Sequence, residues 1–137
     1  MSAKLQDELA ATLRDIYHKL DLLHDEQSEV TPKELALLTA LTESGPTRVK
    51  DLADSVGLPL STVSWTADKM VGRKLLSRKT DRRDRRVIRL TLSATGRAVL
   101  ANHNAIFDRL AASVWAVLDA SERETVVNAI KKLTVQF

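Results

Sequence analysis

The sequence predicts a mainly α-helical fold with one small β-hairpin, in the α+β class, and three observations lead to this prediction. Apolar residues recur at three- and four-residue steps over most of the 137 residues, which is the periodicity of amphipathic helices. Residues 87–92 instead alternate with the period of two that a half-buried strand shows. The preceding run 81–86, DRRDRR, has the composition of a charged turn.

Composition excludes several classes of function before any motif is considered. The chain has the length of one compact domain, with 44% hydrophobic and 28% charged residues. It has no cysteine, which excludes disulfide frameworks, Cys-ligated metal sites, a cysteine nucleophile and thiol-based sensing. No apolar run approaches the roughly 20 residues of a membrane span, and the N-terminus lacks signal-peptide features. We therefore expect a cytoplasmic protein that does not contact a membrane.

The charge is concentrated in the middle of the chain. Residues 1–47 carry a formal charge of −5, residues 48–97 carry +8 from 13 basic and five acidic side chains, and residues 98–137 are neutral. Such a cationic segment is typical of a protein with a polyanionic partner, such as nucleic acid. A solvated basic surface without a partner is the alternative.

The first two helices are predicted from an apolar stripe and from a cap. Leucine and isoleucine side chains form one face of a long helix over about residues 3–25. Thr31 is the predicted N-cap of a second helix, with Pro32 at its first position and Glu34 completing a capping box. Residues 44–46, Ser-Gly-Pro, end that helix because Gly and Pro do not continue it.

Two further helices joined by a glycine have the spacing of a helix-turn-helix. The first covers about residues 49–56, and the second begins near Leu60. A small Ala53 lets the helices approach, Gly57 takes the positive φ of the turn, and Val63 packs between them. The inner face of the second helix is formed by three side chains: Val63, Ala67 and Met70.

A basic hairpin follows the helix-turn-helix, and this order predicts a winged helix. The predicted strands cover residues 76–80 and 86–92, and the second strand has Ile88, Leu90 and Leu92 on its buried face. Few other architectures place a helix-turn-helix directly before a basic hairpin.

Two helices complete the predicted fold. Ser93 is the predicted N-cap of a helix over about residues 94–118. Asp119 and Glu122 form a second capping box, which begins the last helix. The apolar side chains of that helix are expected inside: Val126, Val127, Ile130 and Leu133.

The motifs resemble those of the MarR family, winged-helix transcription factors of bacteria and archaea. Residues 84–86, Asp-Arg-Arg, match the family's wing motif. Residues 92–96, LSATG, match its closing Leu-Thr-x-x-Gly, with Ser in the position where Thr is usual. Leu52-Ala53 and Gly57-Leu58 match its helix-turn-helix, and residues 118–122 match the start of its last helix. The resemblance covers essentially the whole chain.

The resemblance implies a homodimeric, ligand-responsive repressor with one domain over residues 1–137. It assigns residues 31–92 to a winged-helix DNA-binding lobe, and residues 3–30 and 94–137 to dimerisation helices. Two lobes would bind adjacent major grooves of a pseudo-palindromic operator in double-stranded DNA. The alternative for the terminal helices is that all of them pack on the core of their own chain.

The helix that begins near Leu60 is the predicted recognition helix. At about 100° per residue, four side chains face away from its buried side, namely Ser61, Thr62, Trp65 and Lys69, with Ser64 at the border. The hydroxyls suit phosphates or base edges, and the lysine suits phosphate. The family often has Arg where Trp65 stands. Two interpretations of Trp65 are open: it contacts a thymine methyl or sugar edge, or it packs on the neighbouring wing or lobe surface.

The wing is the second predicted DNA contact. The resemblance implies that Arg86 enters the minor groove and that Asp84 orients it, which a carboxylate two residues away on the same side can do. Three further arginines are predicted phosphate contacts: Arg82, Arg83 and Arg85. Arg48 and Arg73 are additional phosphate candidates.

Other functions have less support in the sequence. A nonspecific, architectural DNA-binding protein is the alternative to a specific regulator, because the basic segment alone supplies sequence-independent affinity. No phosphate loop, nucleophile elbow or triad predicts an enzyme, and no cofactor is expected. His18, His24 and His103 lack the spacing of a metal site. The resemblance implies a small aromatic or phenolic effector in a cleft; Tyr17 and Trp115 either line that cleft or belong to the core.

Overall fold

The computed structural model describes residues 2–23 and 30–136 of the chain. Over these residues it has six helices and three strands, in this order: α1 (Ser2–Leu23), α2 (Pro32–Ser44), β1 (Thr47–Arg48), α3 (Val49–Val56), α4 (Leu60–Gly72), β2 (Leu76–Thr80), β3 (Ile88–Leu92), α5 (Ala94–Val117) and α6 (Ala120–Thr134). The chain divides into two compact units, Met1–Gly96 and Arg97–Phe137. The fold class predicted from the sequence is confirmed. Residue 25, the predicted end of the first helix, lies outside the described residues.

The predicted cap of α2 is present in full. The Thr31 side chain accepts a hydrogen bond from the Glu34 backbone N–H at 3.2 Å, and the Glu34 carboxylate accepts one from the Thr31 backbone N–H at 3.3 Å. The helix ends at Gly45, whose φ of 71° is a conformation that residues with a Cβ rarely adopt. Sequence-local signals therefore fix both ends of α2.

The helix-turn-helix has the predicted packing. Gly57 adopts the left-handed conformation, with φ 70° and ψ 28°, and its N–H donates to the Ala53 carbonyl at 3.0 Å. Ala53 and Val63 are both buried. We call residues 30–96 the winged lobe. Its core is closed by fully buried side chains from α2, α3, α4 and the sheet: Leu37, Leu38, Leu52, Val63, Met70, Leu76 and Leu90. Each contributes about 1.5–3 kcal/mol by leaving water.

The sheet has a strand that the sequence did not predict. Its order is β1-β3-β2, with antiparallel pairing throughout. β1 is only two residues long, too short to show alternation, and pairs Thr47 with Leu90 and Arg48 with Arg89. The sheet thus joins the start of the helix-turn-helix to the wing.

Two details of the predicted hairpin are wrong. The second strand begins at Ile88 rather than at residue 86, because the Val87 N–H donates to the Asp84 carbonyl in a turn. Ile88 is 47% exposed rather than buried. It pairs with Thr80 at the distal end of the hairpin, beyond the register that β1 reaches. Of the three side chains predicted for the buried face, only Leu90 is fully buried.

Hydrogen bonds of Ser93 connect the first turn of α5 to the turn between α4 and β2. The Ser93 hydroxyl donates to the Leu75 carbonyl at 2.8 Å and accepts from the Gly96 N–H at 2.9 Å, which makes Ser93 the predicted N-cap. A Cβ at position 96 would collide with the Leu75 carbonyl oxygen. The motif formed by residues 92–96 is therefore explained by close approach of two backbone segments.

The second unit consists of α6 and the remainder of α5. Asp119 and Glu122 form the predicted capping box, with the Glu122 N–H donating to the Asp119 carboxylate at 2.8 Å. Arg123 donates to the Trp115 carbonyl at 2.8 and 3.0 Å and lies 4.9 Å from the centre of the Trp115 ring. These contacts fix the turn between the two helices.

The expected interior of α6 is not found. In the structure of the single chain this helix has no buried residue. Large apolar side chains are exposed on α1 and on the last two helices: Leu5, Leu9, Leu13, Ile16, Tyr17, Leu22, Phe107, Val114, Trp115, Val117, Val127, Ile130 and Leu133. The prediction is wrong for these side chains in the structure of the single chain: Val127, Ile130 and Leu133 are exposed, and Val126 is only half-buried. None of the described helices is long and apolar enough to cross a membrane.

Candidate nucleic-acid interface

The outward face of α4 is the first part of the candidate interface. Four of its residues are buried, Val63, Thr66, Ala67 and Met70, and they fix the orientation of the helix on the lobe. Ser61, Trp65 and Lys69 are exposed, whereas Thr62 and Ser64 are half-buried. Thr66 thus belongs to the buried face of α4, in addition to the three side chains that the sequence predicted there.

Trp65 is 64% exposed and pairs with Lys69 on the same helix. The Lys69 ammonium nitrogen lies 4.1 Å from the centre of the indole ring, a cation–π contact. Both side chains line a groove of about 450 Å³ between α4 and the first turn of α2. The groove is lined by Thr31, Pro32, Lys33, Glu34, Trp65, Thr66 and Lys69. Trp65 thus lies beside α2 and keeps most of its surface available for another contact.

Arg73, at the end of α4, has an internal partner. Its guanidinium donates to the Glu34 carboxylate at 2.9 Å, and Glu34 is only 4% exposed. The same carboxylate completes the cap of α2 at Thr31. Arg73 therefore neutralises a buried charge and joins two helices that are far apart in sequence. Its predicted phosphate contact stays a prediction.

The wing holds Arg86 in a fixed orientation. Its Nε donates to one oxygen of Asp84 at 3.1 Å and its Nη2 to the other at 3.1 Å, while its backbone N–H donates to the same carboxylate at 3.0 Å. The Arg86 side chain itself is 90% exposed. The pairing inferred from the family resemblance is therefore present, and it presents a preoriented guanidinium to solvent. The Arg86 guanidinium, followed by its backbone N–H, lowers the pKa of the Asp84 carboxyl.

Asp81 organises the tip of the wing and was not predicted to do so. One carboxylate oxygen accepts the backbone N–H groups of Arg83 and Asp84 at 2.7 and 3.3 Å, and the other accepts Nε of Arg89 at 3.3 Å. The Arg83 N–H, then the Arg89 side chain, lower the pKa of the Asp81 carboxyl. The carboxylate two residues before an exposed N–H is the sequence signal of such an Asx-type turn.

The remaining predicted phosphate contacts differ in their surroundings. Arg82, Arg83 and Arg85 have exposed side chains, and no described carboxylate forms an ion pair with them. Arg48 lies in β1, where its Nε donates to Asp51 at 3.1 Å in an exposed pair. One further surface pair joins Arg78 to Asp68. The tip of the wing thus has three exposed arginine side chains without a described carboxylate partner.

The residues considered for a metal or an effector have the following surroundings in the part of the chain that the structure describes. No group of three or more His, Asp or Glu side chains there is arranged to hold a metal ion. His24 lies outside the described residues. Tyr17 and Trp115 are both exposed rather than buried in a core.

Comparisons with known proteins agree with this geometry. The MarR family model matches residues 30–88. The chain is 30% identical over 113 residues to the HTH-type transcriptional repressor MdtR of Bacillus subtilis, which covers 77% of this chain and 73% of that protein. It also resembles the crystal structure of the YusO protein of Bacillus subtilis, with a TM-score of 0.81 and 25% identity over 98% of this chain and 97% of the other.

A third similar protein is a regulator solved with a ligand. The PcaV transcriptional regulator of Streptomyces coelicolor, in complex with its natural ligand, has a TM-score of 0.61 and 25% identity to this chain, over 92% of this chain and 89% of the other. Sequence family, fold and the geometry of the wing agree. The chain belongs to the MarR family of helix-turn-helix transcriptional regulators, which bind DNA.

Proposed function

We propose that this regulator is a homodimeric repressor that binds a pseudo-palindromic operator and responds to a small aromatic or phenolic ligand. In each copy α4 enters a major groove and Arg86 enters the adjacent minor groove. Residues 31–92 form the DNA-binding lobe, and residues 3–30 and 94–137 form the dimerisation region. The protein acts by binding rather than by catalysis.

The single observation that carries the proposal is the two-point contact between Asp84 and Arg86. An arginine on a hairpin tip loses much rotamer freedom when it binds a groove. Here the carboxylate has already fixed the plane of the guanidinium while leaving the side chain 90% exposed. A narrow minor groove concentrates negative potential, which favours such a group.

The exposed hydroxyl and aromatic groups of α4 support direct contact with bases. Ser61 lies at the exposed start of the helix, and Trp65 and Lys69 follow on its outer side. Short hydroxyls bond base edges or phosphates, and an indole packs on sugar or thymine methyl groups. Arg82, Arg83 and Arg85 then supply phosphate contacts, each of which releases counterions.

The proposed dimer rests on the apolar faces of α1, α6 and the part of α5 beyond residue 96. Contiguous exposed apolar surface is uncommon on monomeric proteins and marks a contact surface. α1 alone exposes Leu5, Leu9, Leu13 and Ile16 along one face. A second copy of the chain is the occupant that the family favours, and the similarity to the transcriptional repressor MdtR supports repression. The natural ligand of PcaV supports an effector here.

The experiment that tests the function is the ratio of specific to nonspecific affinity at one salt concentration. An operator is first selected from a randomised duplex library, and fluorescence anisotropy then compares it with a scrambled duplex. We expect a ratio of at least about 10³. Arg86→Ala should cost about 1–3 kcal/mol on the operator. A ratio near one in the unaltered protein would instead establish a nonspecific, architectural DNA-binding protein.

A further inference from the structure

We propose that the groove between α4 and the first turn of α2 binds a sugar–phosphate segment of the same DNA duplex, with Lys33 and Lys69 as its phosphate ligands. The inference rests on the proposed function and deepens it. It adds the first turn of α2 to the DNA-binding surface, which the wing and the outward face of α4 otherwise form.

The position of the groove relates it to the recognition helix. Trp65 and Lys69 lie on the outward face of α4 and also form one wall of the groove. Pro32 and Lys33 form the opposite wall, and both are exposed. A DNA strand that passes along the outward face of α4 therefore meets this groove. Its volume of about 450 Å³ lies within the range of about 300–1,000 Å³ that is usual for ligand pockets.

The chemistry of the lining matches the alternation of a nucleic-acid backbone. A DNA strand presents an apolar deoxyribose and an anionic phosphate in turn. The groove is lined by Trp65 and Pro32, which supply ring surfaces, and by one lysine on each side, Lys33 and Lys69. Aromatic rings pack on sugars and bases regardless of sequence, and lysine binds phosphate as a point charge.

The one acidic side chain of the lining does not oppose an anion. Glu34 is 4% exposed, and its carboxylate is bound by Arg73 at 2.9 Å and by the Thr31 backbone N–H. Its charge is thus compensated inside the lobe. The net charge that the lining presents to solvent is positive.

The cation–π contact gives Lys69 a defined place at the groove. Its ammonium group lies 4.1 Å from the centre of the Trp65 ring, which limits the motion of a long side chain. A phosphate bound by Lys69 would therefore lie next to the indole. This arrangement explains why a large aromatic side chain remains 64% exposed on this helix.

The test is the salt dependence of operator binding by Lys33→Gln. Each phosphate contact contributes about 0.9 to the slope of log affinity against log salt. We expect the slope to fall by about 0.9 for each bound copy, and the affinity to fall by the same factor on operator and scrambled DNA. Lys4→Gln, which removes an exposed lysine of α1, is the matched control and should leave the slope unchanged. Thermal unfolding checks that both variants fold.

A second pair of variants tests the apolar part of the groove. Trp65→Ala should weaken binding to operator and scrambled DNA alike, and Trp65→Phe should recover most of the loss because it keeps an aromatic ring. An unchanged salt slope in Lys33→Gln, with operator binding intact, would overturn the groove proposal while leaving the proposed function in place. Binding of inorganic phosphate that Lys33→Gln abolishes, without any change in the salt slope of DNA binding, would also overturn it. The groove would then be a site for small anions only. If the unaltered protein showed no specific binding to DNA, the proposed function itself would be contradicted.

Discussion

Within the winged lobe, leucines from α2, α3 and the sheet meet in one closed core. In contrast, large apolar side chains of α1 and α6 lie exposed along their helices: Leu5, Leu9, Leu13, Ile16, Ile130 and Leu133. We call α1, α6 and the part of α5 beyond residue 96 the flanking helices. Both regions have apolar residues at helical spacing, so periodicity alone does not distinguish them. An amphipathic pattern therefore predicts which face of a helix is buried, but it does not predict whether the same chain or a partner covers that face.

The largest effect is expected from a cavity in the closed core. Leu52→Ala removes a side chain that is fully buried in the lobe, so we expect a loss of about 2–5 kcal/mol in the free energy of unfolding. Urea denaturation followed by circular dichroism measures it. Leu60→Ala is the matched control: the same truncation at a half-exposed leucine of the same lobe should cost less than about 0.5 kcal/mol. Equal losses in the two variants would contradict the closed core.

A charged side chain on the exposed apolar face of α1 should weaken the proposed dimer rather than destabilise the winged lobe. Leu9→Glu removes an exposed leucine from both copies of the proposed dimer, at about 1.5 kcal/mol or more for each copy. The two copies together predict a dimer dissociation constant raised about a hundredfold, because 1.4 kcal/mol is a factor of ten. Sedimentation equilibrium gives this constant.

The control for the dimer prediction is Ala11→Glu, which adds the same charge to the opposite side of α1. Ala11 lies about 200° from Leu9 on the helix, so its substitution should leave the dissociation constant nearly unchanged. If both variants dissociate alike, charge rather than the apolar face explains the effect. If neither does, the apolar face of α1 is not part of the dimer surface.

The junction of lobe and α5 is expected to show an effect of intermediate size. Gly96→Ala places a Cβ against the Leu75 carbonyl oxygen, so the two backbones must separate, and we expect a loss of about 1–3 kcal/mol. Gly72→Ala is the control, because nothing lies within 4 Å of its added Cβ. There the change should be neutral or stabilising by up to about 1 kcal/mol, since alanine favours the helix. Thermal unfolding of both variants measures the two effects separately: Gly96→Ala reports the collision, and Gly72→Ala reports the change in helix propensity.

The smallest effect concerns pH and the wing. The folded state lowers the pKa of Asp84 below its ordinary value of 3.8, so the stabilisation is present above that pH and is lost as the pH falls through the lowered pKa. The Arg86 Nε–H signal in NMR should shift on protonation of Asp84, with a midpoint below 3.8. In Asp84→Asn the signal should not titrate at all. A midpoint at or above the ordinary value would contradict the paired geometry.

The parts of the fold that were predictable from the sequence depend on neighbours along the chain. Thr31 with Glu34, and Asp119 with Glu122, act within three residues, and Gly57 supplies its own left-handed conformation. The pairing of Asp84 with Arg86 is equally local, so it could be inferred from the motif.

The parts that were missed depend on residues that are distant in sequence. Arg73 and Glu34 are 39 positions apart, and no local pattern indicates their pairing. The groove at Trp65 needs α2 beside α4, and β1 is too short to alternate. Ile88 has the right period for burial but lies where the hairpin extends beyond β1. Tertiary context overrides the local pattern in each of these places.

A hydroxyl-radical footprint of the unaltered protein and of Arg86→Ala on the selected operator tests whether α4 and Arg86 bind adjacent grooves. We expect two protected half-sites with centres about 34–36 Å apart, one helical turn, together with minor-groove protection next to each half-site. Arg86→Ala should lose the minor-groove protection and keep the protection from α4. Uniform protection without half-sites, or a footprint that Arg86→Ala leaves unchanged, would contradict this prediction.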